Sequence, residues 1–413
     1  MSKEVVDSRI PNEIGQGVLP SHAGIKTPWE KIISYHEAYY FGCRHMATMA
    51  AELFEVIRVF LPDYEERMEV LCRSNHDKMY NVFKSFFGPI HASNNNMHPF
   101  MEGAFVSAMY GDSGDERLLM NGRVNDFGTY RAEKELDTCV WDILGSEICR
   151  ISPCTQQGIG EAYGEPSVEF NMVEAIGCGD LHCRLIAENR EKYPLPPREK
   201  IWETFGPIAT ADQIKFTPED KMLGVMDSQY FRESCGYHCR NGLSREFTHK
   251  DGWEGGPVSN FAGDYVTTAF ELMKSEGKVT QEQIDVVIEC LFEGAGKFQF
   301  ADGYAKKGLR DWLGVPNDVD DGRVMGAYIE VLLQIALTEY KILAFNKDEV
   351  IYDINLTQFQ RRSPMLVKAY LAWWYGMSKT LVGSRWACWQ ITEDVPEDRL
   401  RIKIAKKVDK FCR

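Results

Sequence analysis

Between Glu174 and Cys183 the chain places two carboxylates, two thiols and an imidazole: Glu174, Cys178, Asp180, His182 and Cys183. A thiol becomes a nucleophile when a neighbouring base or an electropositive setting favours the thiolate. In that chemistry Cys178 or Cys183 would attack an electrophilic carbon, His182 would act as general base, and Asp180 would orient it. Adjacent residues on a strand point to opposite faces, so His182 and Cys183 diverge if the strand has begun there. Cys154, in SPCTQQG, is a third candidate nucleophile, with Gln156 beside it to bind substrate. Glu174 sits between apolar residues, where an inward carboxylate would be a perturbed acid or base. The same soft groups could instead hold a metal. Cys235 and Cys239 of CGYHC, with Cys178 and Cys183, are zinc-type ligands. His238 of that motif and His98 of HASNNNMHPF would line a substrate pocket. Against these stands a plainer reading of Cys183 as a small buried hydrophobe.

These residues need elements to position them. Phe170–Ile176 and Cys183–Ile186 read as strands around the turn Gly177-Cys178-Gly179-Asp180. Upstream, Thr27, Pro28 and Glu30 predict a helix start, and the amphipathic pattern runs on to Leu61. A second helix is expected over 64–87. The pattern then predicts a short helix at 101–109, a strand over 122–130, and a helix over 133–144 carrying Asp137 and Cys139. A short helix or bend over 147–164 holds Cys149 and Cys154. The proline cluster at 194–197 ends the segment. Residues 198–260 read as loops with short helices. Helices follow at 264–277, at 280–295 with a Thr280/Gln283 capping box, and at 321–345. A strand over 349–359, a short helix over 363–372, a hairpin over 375–391 and a solvated helical tail complete the chain.

The end of the chain resembles its middle. FNMVEAIGCGDLHCRLIAEN aligns without a gap to YGMSKTLVGSRWACWQITED, pairing Met172 with Met377, Cys183 with Cys388, Ile186 with Ile391 and Glu188 with Glu393. Long helices precede both stretches, which implies a tandem duplication. In this alignment Cys183 recurs and the polar turn does not, so function is expected in the turn.

The net charge of −14 argues against a nucleic-acid partner and against an anionic membrane surface. No apolar run is long enough to span a bilayer, and the N-terminus lacks the apolar core of a secretory signal, so the expected location is cytoplasmic, with the 12 cysteines reduced. Every histidine lies at or before His249, and only Cys290, Cys388 and Cys412 come later, so a reactive site belongs to the first 250 residues. There is no GxGxxG after a strand, no GxxxxGK[ST], no HExxH and no GxSxG.

The run from Cys139 and Cys154 to GEPSVEFNMVEAIGCGDLHCRLI resembles the L-2-amino-thiazoline-4-carboxylic acid hydrolase family and the related 4-vinyl-reductase domain. The resemblance covers roughly residues 30–190. It implies hydrolysis of a small cyclic or conjugated substrate. Through the vinyl-reductase relatives it also implies a zinc site, onto which Cys149, Glu174, Cys178 and Cys183 could map. The expected fold is α+β, in two tandem domains, each with helices followed by a small, mainly antiparallel sheet. The expected divisions are an arm (1–26), a first domain (27–192), an insert (193–260) and a second, degenerate domain (261–413). Two functions follow: a Cys/His-assisted hydrolase, or a non-catalytic small-molecule binding or sensor protein with a structural zinc site. A small molecule is the expected partner, with homo-oligomerisation left open.

Overall fold

The computed structural model describes residues 24–86, 122–127, 130–162, 168–194, 199–200, 202, 263–336, 338–359 and 364–407. The fold is α+β. Two short strands, β1 (Ile25–Lys26) and β2 (Ile32–Ile33), precede helices α1 (Tyr35–Phe60) and α2 (Tyr64–Phe86). Then come β3 (Gly122–Phe127), β4 (Arg131–Leu136), α3 (Ser146–Ala162), β5 (Val168–Glu174) and β6 (Cys183–Asn189). Four helices follow: α4 (Gly263–Ser275), α5 (Gln281–Gln299), α6 (Gly303–Leu313) and α7 (Arg323–Ile335). Strands β7 (Tyr340–Phe345) and β8 (Glu349–Asn355), helix α8 (Pro364–Leu381), and strands β9 (Trp386–Ile391) and β10 (Arg399–Lys406) close the chain. Two compact units result. One comprises Met46–Arg245 and Glu254–Lys278; the other comprises Met1–His45, Glu246–Trp253 and Val279–Arg413.

Each unit holds one four-stranded antiparallel sheet, ordered β3-β4-β6-β5 in the first and β7-β8-β10-β9 in the second. The order is the same: a hairpin, a helix, then a second hairpin whose last strand inserts beside the first. The two sheets also match position by position. Tyr340 follows Gly122 by 218 positions (340 − 122), and the same interval separates the starts of β4 and β8, of α3 and α8, and of β5 and β9. Even the β-bulge recurs at this interval, between Val124 and Asp126 and between Ile342 and Ala344.

The helices preceding the sheets match as well. Asp63 Oδ1 accepts from Glu66 N at 2.9 Å at the start of α2, and Thr280 Oγ1 accepts from Gln283 N at 3.2 Å at the start of α5. Gly158 of α3 meets the backbone of α2, where an added Cβ would lie 2.3 Å from His76 O. Gly376 of α8 meets α5 in the same way, at 2.1 Å from Glu293 O. Glycine is required at both crossings because a side chain there would strike backbone.

This register corrects the one expected from sequence. Cys183 pairs with Leu136, and its counterpart, paired with Ile354, is Leu400. Cys388 lies instead on β9 opposite Ile404, in the place of Phe170 opposite Ala187. The gapless alignment set the hairpin of one half against a helix end and single strand of the other, so Cys388 carries no argument about Cys183.

Several elements also differ from expectation. Helix α1 starts at Tyr35, capped by Ser34, whose Oγ accepts from Glu37 N at 3.2 Å while Glu37 Oε2 accepts from Ser34 N at 3.1 Å. Thr27 and Pro28 instead form the β1–β2 turn, with Thr27 N donating to Lys31 O at 2.9 Å. Residues 133–144 are the end of a strand and a 3₁₀ turn (Val140–Leu144), not a helix. The charged residues of β4 had hidden its alternation, because one face of this sheet buries ion pairs. Arg131 bonds Glu188 at 3.0 Å and Glu133 at 3.1 Å, with all three essentially inaccessible to solvent. The expected helix over 321–345 ends at Ile335, and Tyr340 begins a strand. Residues 375–381 continue α8 rather than opening a hairpin, since Gly376 serves a helix crossing and not a turn. The tail is a strand as far as Lys406. The short helix expected at 101–109 lies outside the described residues.

Candidate functional site

Four thiols gather where β4, α3 and the β5–β6 hairpin meet. Cys139 leads into the 3₁₀ turn after β4, and Cys149 lies in the first turns of α3. Cys178 ends the 3₁₀ turn Ile176–Cys178, and Cys183 opens β6. They stand as two pairs, Cys139 against Cys183 and Cys149 against Cys178, and the pairs are neighbours through Cys149 and Cys183. Cys149 and Cys183 are buried and Cys178 is exposed.

Backbone amides point at two of the sulfurs. Ile176 N donates to Cys183 Sγ at 3.3 Å, and Gly177 N–H points to Cys149. The hairpin turn reaches the thiols because residue 177 is glycine: a Cβ there would lie 2.7 Å from Cys149 Sγ. Gly179 closes the turn with φ at 101°, a conformation that favours glycine. Asp180 completes it, its Oδ2 accepting from Ala175 N at 2.8 Å.

The electrostatics keep Cys139 and Cys149 protonated in the absence of a cation. The hydrogen bond with Cys183, then burial, pushes the Cys139 thiol well up. Burial and the neighbouring Cys178 and Cys183 push Cys149 up to about 12, against the opposing pull of the Gly177 amide. A metal-free thiolate nucleophile would need the opposite shift.

His182 stands beside two carboxylates. Its Nδ1 is 3.4 Å from Asp137 Oδ1 and 3.9 Å from Glu135 Oε1, with side-chain exposures of 45%, 36% and 17% for His182, Asp137 and Glu135. Among the described residues this trio is the one set of His, Cys, Asp and Glu ligand atoms all within 4.8 Å of one another, so the thiols form a more open set. His182 Nδ1 is itself buried with no hydrogen-bond partner among the described residues, so it stands beside the two carboxylates without bonding either.

Of the other expected site residues, Cys154 is buried on α3, its Sγ 3.6 Å from Arg150 O, and it partners Cys72 of α2. That places it in the helix interface rather than a cleft. Gln156 is half-buried on α3, and its Oε1 is buried with no hydrogen-bond partner among the described residues. Glu174 is exposed at the end of β5, opposite Arg184. His98, Cys235, His238 and Cys239 lie outside the described residues. The sequence places Cys139 on an expected helix and among the residues of the family resemblance, but not in the ligand set.

Four cysteines from three elements, each near another and two of them facing backbone N–H groups, form a sulfur donor set at the end of an α+β sheet. No protein-family model, curated protein or solved structure matches the chain. Among the described residues no helix is long and apolar enough to cross a membrane.

Proposed function

We propose that this is a non-catalytic small-molecule binding protein whose first sheet is pinned by a structural zinc ion at Cys139, Cys149, Cys178 and Cys183. The observation that carries the reading is the partnering of the thiols: they meet each other, and the imidazole meets carboxylates. No three of these sulfurs lie within 4.8 Å of one another, so a zinc ion would have to draw the thiols together to bind. Four sulfur ligands satisfy a closed structural site, and amide N–H groups stabilise the thiolate charge that a bound cation would induce. The chemistry supplied is cross-linking. The ion would tie the end of β4, the start of α3 and both ends of the β5–β6 turn, elements joined otherwise by long-range pairing. Cys235 and Cys239 are not needed to complete this set.

The hydrolytic reading keeps one observation in its favour, the exposure of Cys178 at a turn. In it, Cys178 would attack a small cyclic or conjugated substrate. It lacks a positioned base, since the His182 imidazole lies beside Asp137 and Glu135.

Metal content of purified variants separates the assignments. Cys139→Ser is expected to lose zinc, and Cys154→Ser to retain one zinc per chain. Zinc retained in Cys139→Ser and lost in Cys154→Ser would refute the ligand set.

A further inference from the structure

The ends of β4 and β6 carry a second set of donors that the thiol site does not use. Leu136 and Cys183 make the last pair of this ladder, next to Glu135 and Arg184. Side chains alternate along a strand, so Glu135, Asp137 and His182 share the face of the sheet opposite Cys183. One ligand atom from each of the three lies within 4.8 Å of the others.

A single imidazole nitrogen faces both carboxylates. His182 Nδ1 is 3.4 Å from Asp137 Oδ1 and 3.9 Å from Glu135 Oε1, and it makes no hydrogen bond among the described residues. His76 shows the ordinary alternative. It too has two carboxylates, but Asp77 meets Nδ1 at 3.0 Å and Glu161 meets Nε2 at 3.1 Å, one for each N–H of an imidazolium. At His182 both carboxylates converge on one nitrogen, which can hold only one proton. A metal ion between the three donors satisfies all of them at once. Donors each about 2.1 Å from one ion stand about 3–4 Å apart, and both His182 separations fall in that range. The place is open to solvent, with the His182 side chain 45% and the Asp137 side chain 36% exposed, so an ion needs no cavity to reach it.

The second sheet gives an independent sign that this place takes a cation. There Ile354 pairs with Leu400 as Leu136 pairs with Cys183, so Asp353 stands for Glu135, Asn355 for Asp137, Arg399 for His182 and Arg401 for Arg184. Arg399 Nε donates to Asp353 Oδ1, and Arg401 Nη2 donates to Asp353 Oδ2 at 2.8 Å. The second copy therefore holds a guanidinium on this carboxylate. The first copy has an imidazole in place of Arg399 and a second carboxylate in place of Asn355, and its Arg184 donates to Glu133 at 2.9 Å. One copy supplies the positive charge from its own chain, and the other presents metal-ligand atoms instead.

We propose that Glu135, Asp137 and His182 bind a divalent first-row transition-metal ion at a site separate from the thiols. Two carboxylates and one imidazole suit such an ion, whereas sulfur donors select zinc. Three protein donors leave coordination positions open to water or to an oxygen of a bound molecule. The site shares no ligand with the thiol set and does not rest on it.

Manganese(II) is the probe, because carboxylate donors accept it and thiol sites do not select it. Titration of the full chain with manganous chloride, with the free ion followed by electron paramagnetic resonance, is expected to show one Mn2+ bound per chain. His182→Gln and Asp137→Asn should each weaken that binding at least tenfold. Proton spectra of the wild type need no variant: bound Mn2+ should broaden the His182 ring signals more than those of any other histidine. Three results would each overturn the proposal: no saturable binding of Mn2+, binding at full strength in both variants, or the strongest broadening at another histidine.

Discussion

The two glycine crossings test whether the chain repeats one packing unit. Gly158→Ala would bring a Cβ to 2.3 Å from His76 O, and Gly376→Ala to 2.1 Å from Glu293 O. Both obstacles are helix backbone, so the helices themselves must separate. Overpacking of this kind costs about 1–3 kcal/mol, and the upper end applies where no flexible side chain can yield. Alanine's greater helix propensity returns about 1 kcal/mol. The net expectation is a loss of about 2 kcal/mol in each variant. Gly294, on α5 with nothing within 4 Å of its added Cβ, is the control: Gly294→Ala should gain up to about 1 kcal/mol. Urea titrations followed by tryptophan fluorescence supply the measurement, fitted with one transition or two as the curves require. The account requires equal-sign losses at positions 158 and 376. A variant at either position as stable as the wild type would refute the claim that both crossings are backbone-limited.

Two further outcomes follow from buried and half-buried charge in the first unit. His76 Nε2 lies 3.1 Å from Glu161 Oε2, and this hydrogen bond, working against burial, raises the imidazole pKa to about 9. Its stabilisation is complete below the unfolded value near 6.5 and lost as pH rises through about 9. His76→Gln should therefore flatten stability between those values, by about 1 kcal/mol once solvent screening is allowed for, as read by thermal melts across pH. Glu147 is buried and receives Arg67 Nε at 3.0 Å, Arg67 Nη2 at 2.6 Å and Arg58 Nη2 at 3.1 Å. Glu147→Gln leaves the Arg67 guanidinium buried without a counter-charge, and a loss of about 3 kcal/mol in denaturant titrations is expected.

The fold class and most helices were legible because apolar periodicity and caps report local structure directly. The Thr280/Gln283 capping box is present as read, with α5 running on to Gln299. What escaped was structure set by tertiary contact. Strand β4 reads as a charged helix until Glu133 and Arg131 are seen paired inside the sheet. Helix α7 is buried all round, so no face marks its end at Ile335 and the turn to β7 is invisible. The repeat was legible in the order of elements, but the gapless match of four side chains set the wrong register. Of the thiols, Cys178 and Cys183 were legible as ligands from residue type, and Cys149 only through the family resemblance. Cys139 needed the strand and turn in which it sits.

The central claim is a metal held by four cysteines, and differential alkylation with mass mapping tests it most directly. Cys178 and Cys290 are both exposed, and Cys290 lies on α5, outside the proposed set. In purified protein Cys290 should react at once and Cys178 should be protected, with one zinc per chain by elemental analysis. Adding a chelator should release the zinc and expose Cys178 to the reagent. Cys178 reacting as fast as Cys290 in protein that contains no zinc would contradict the account.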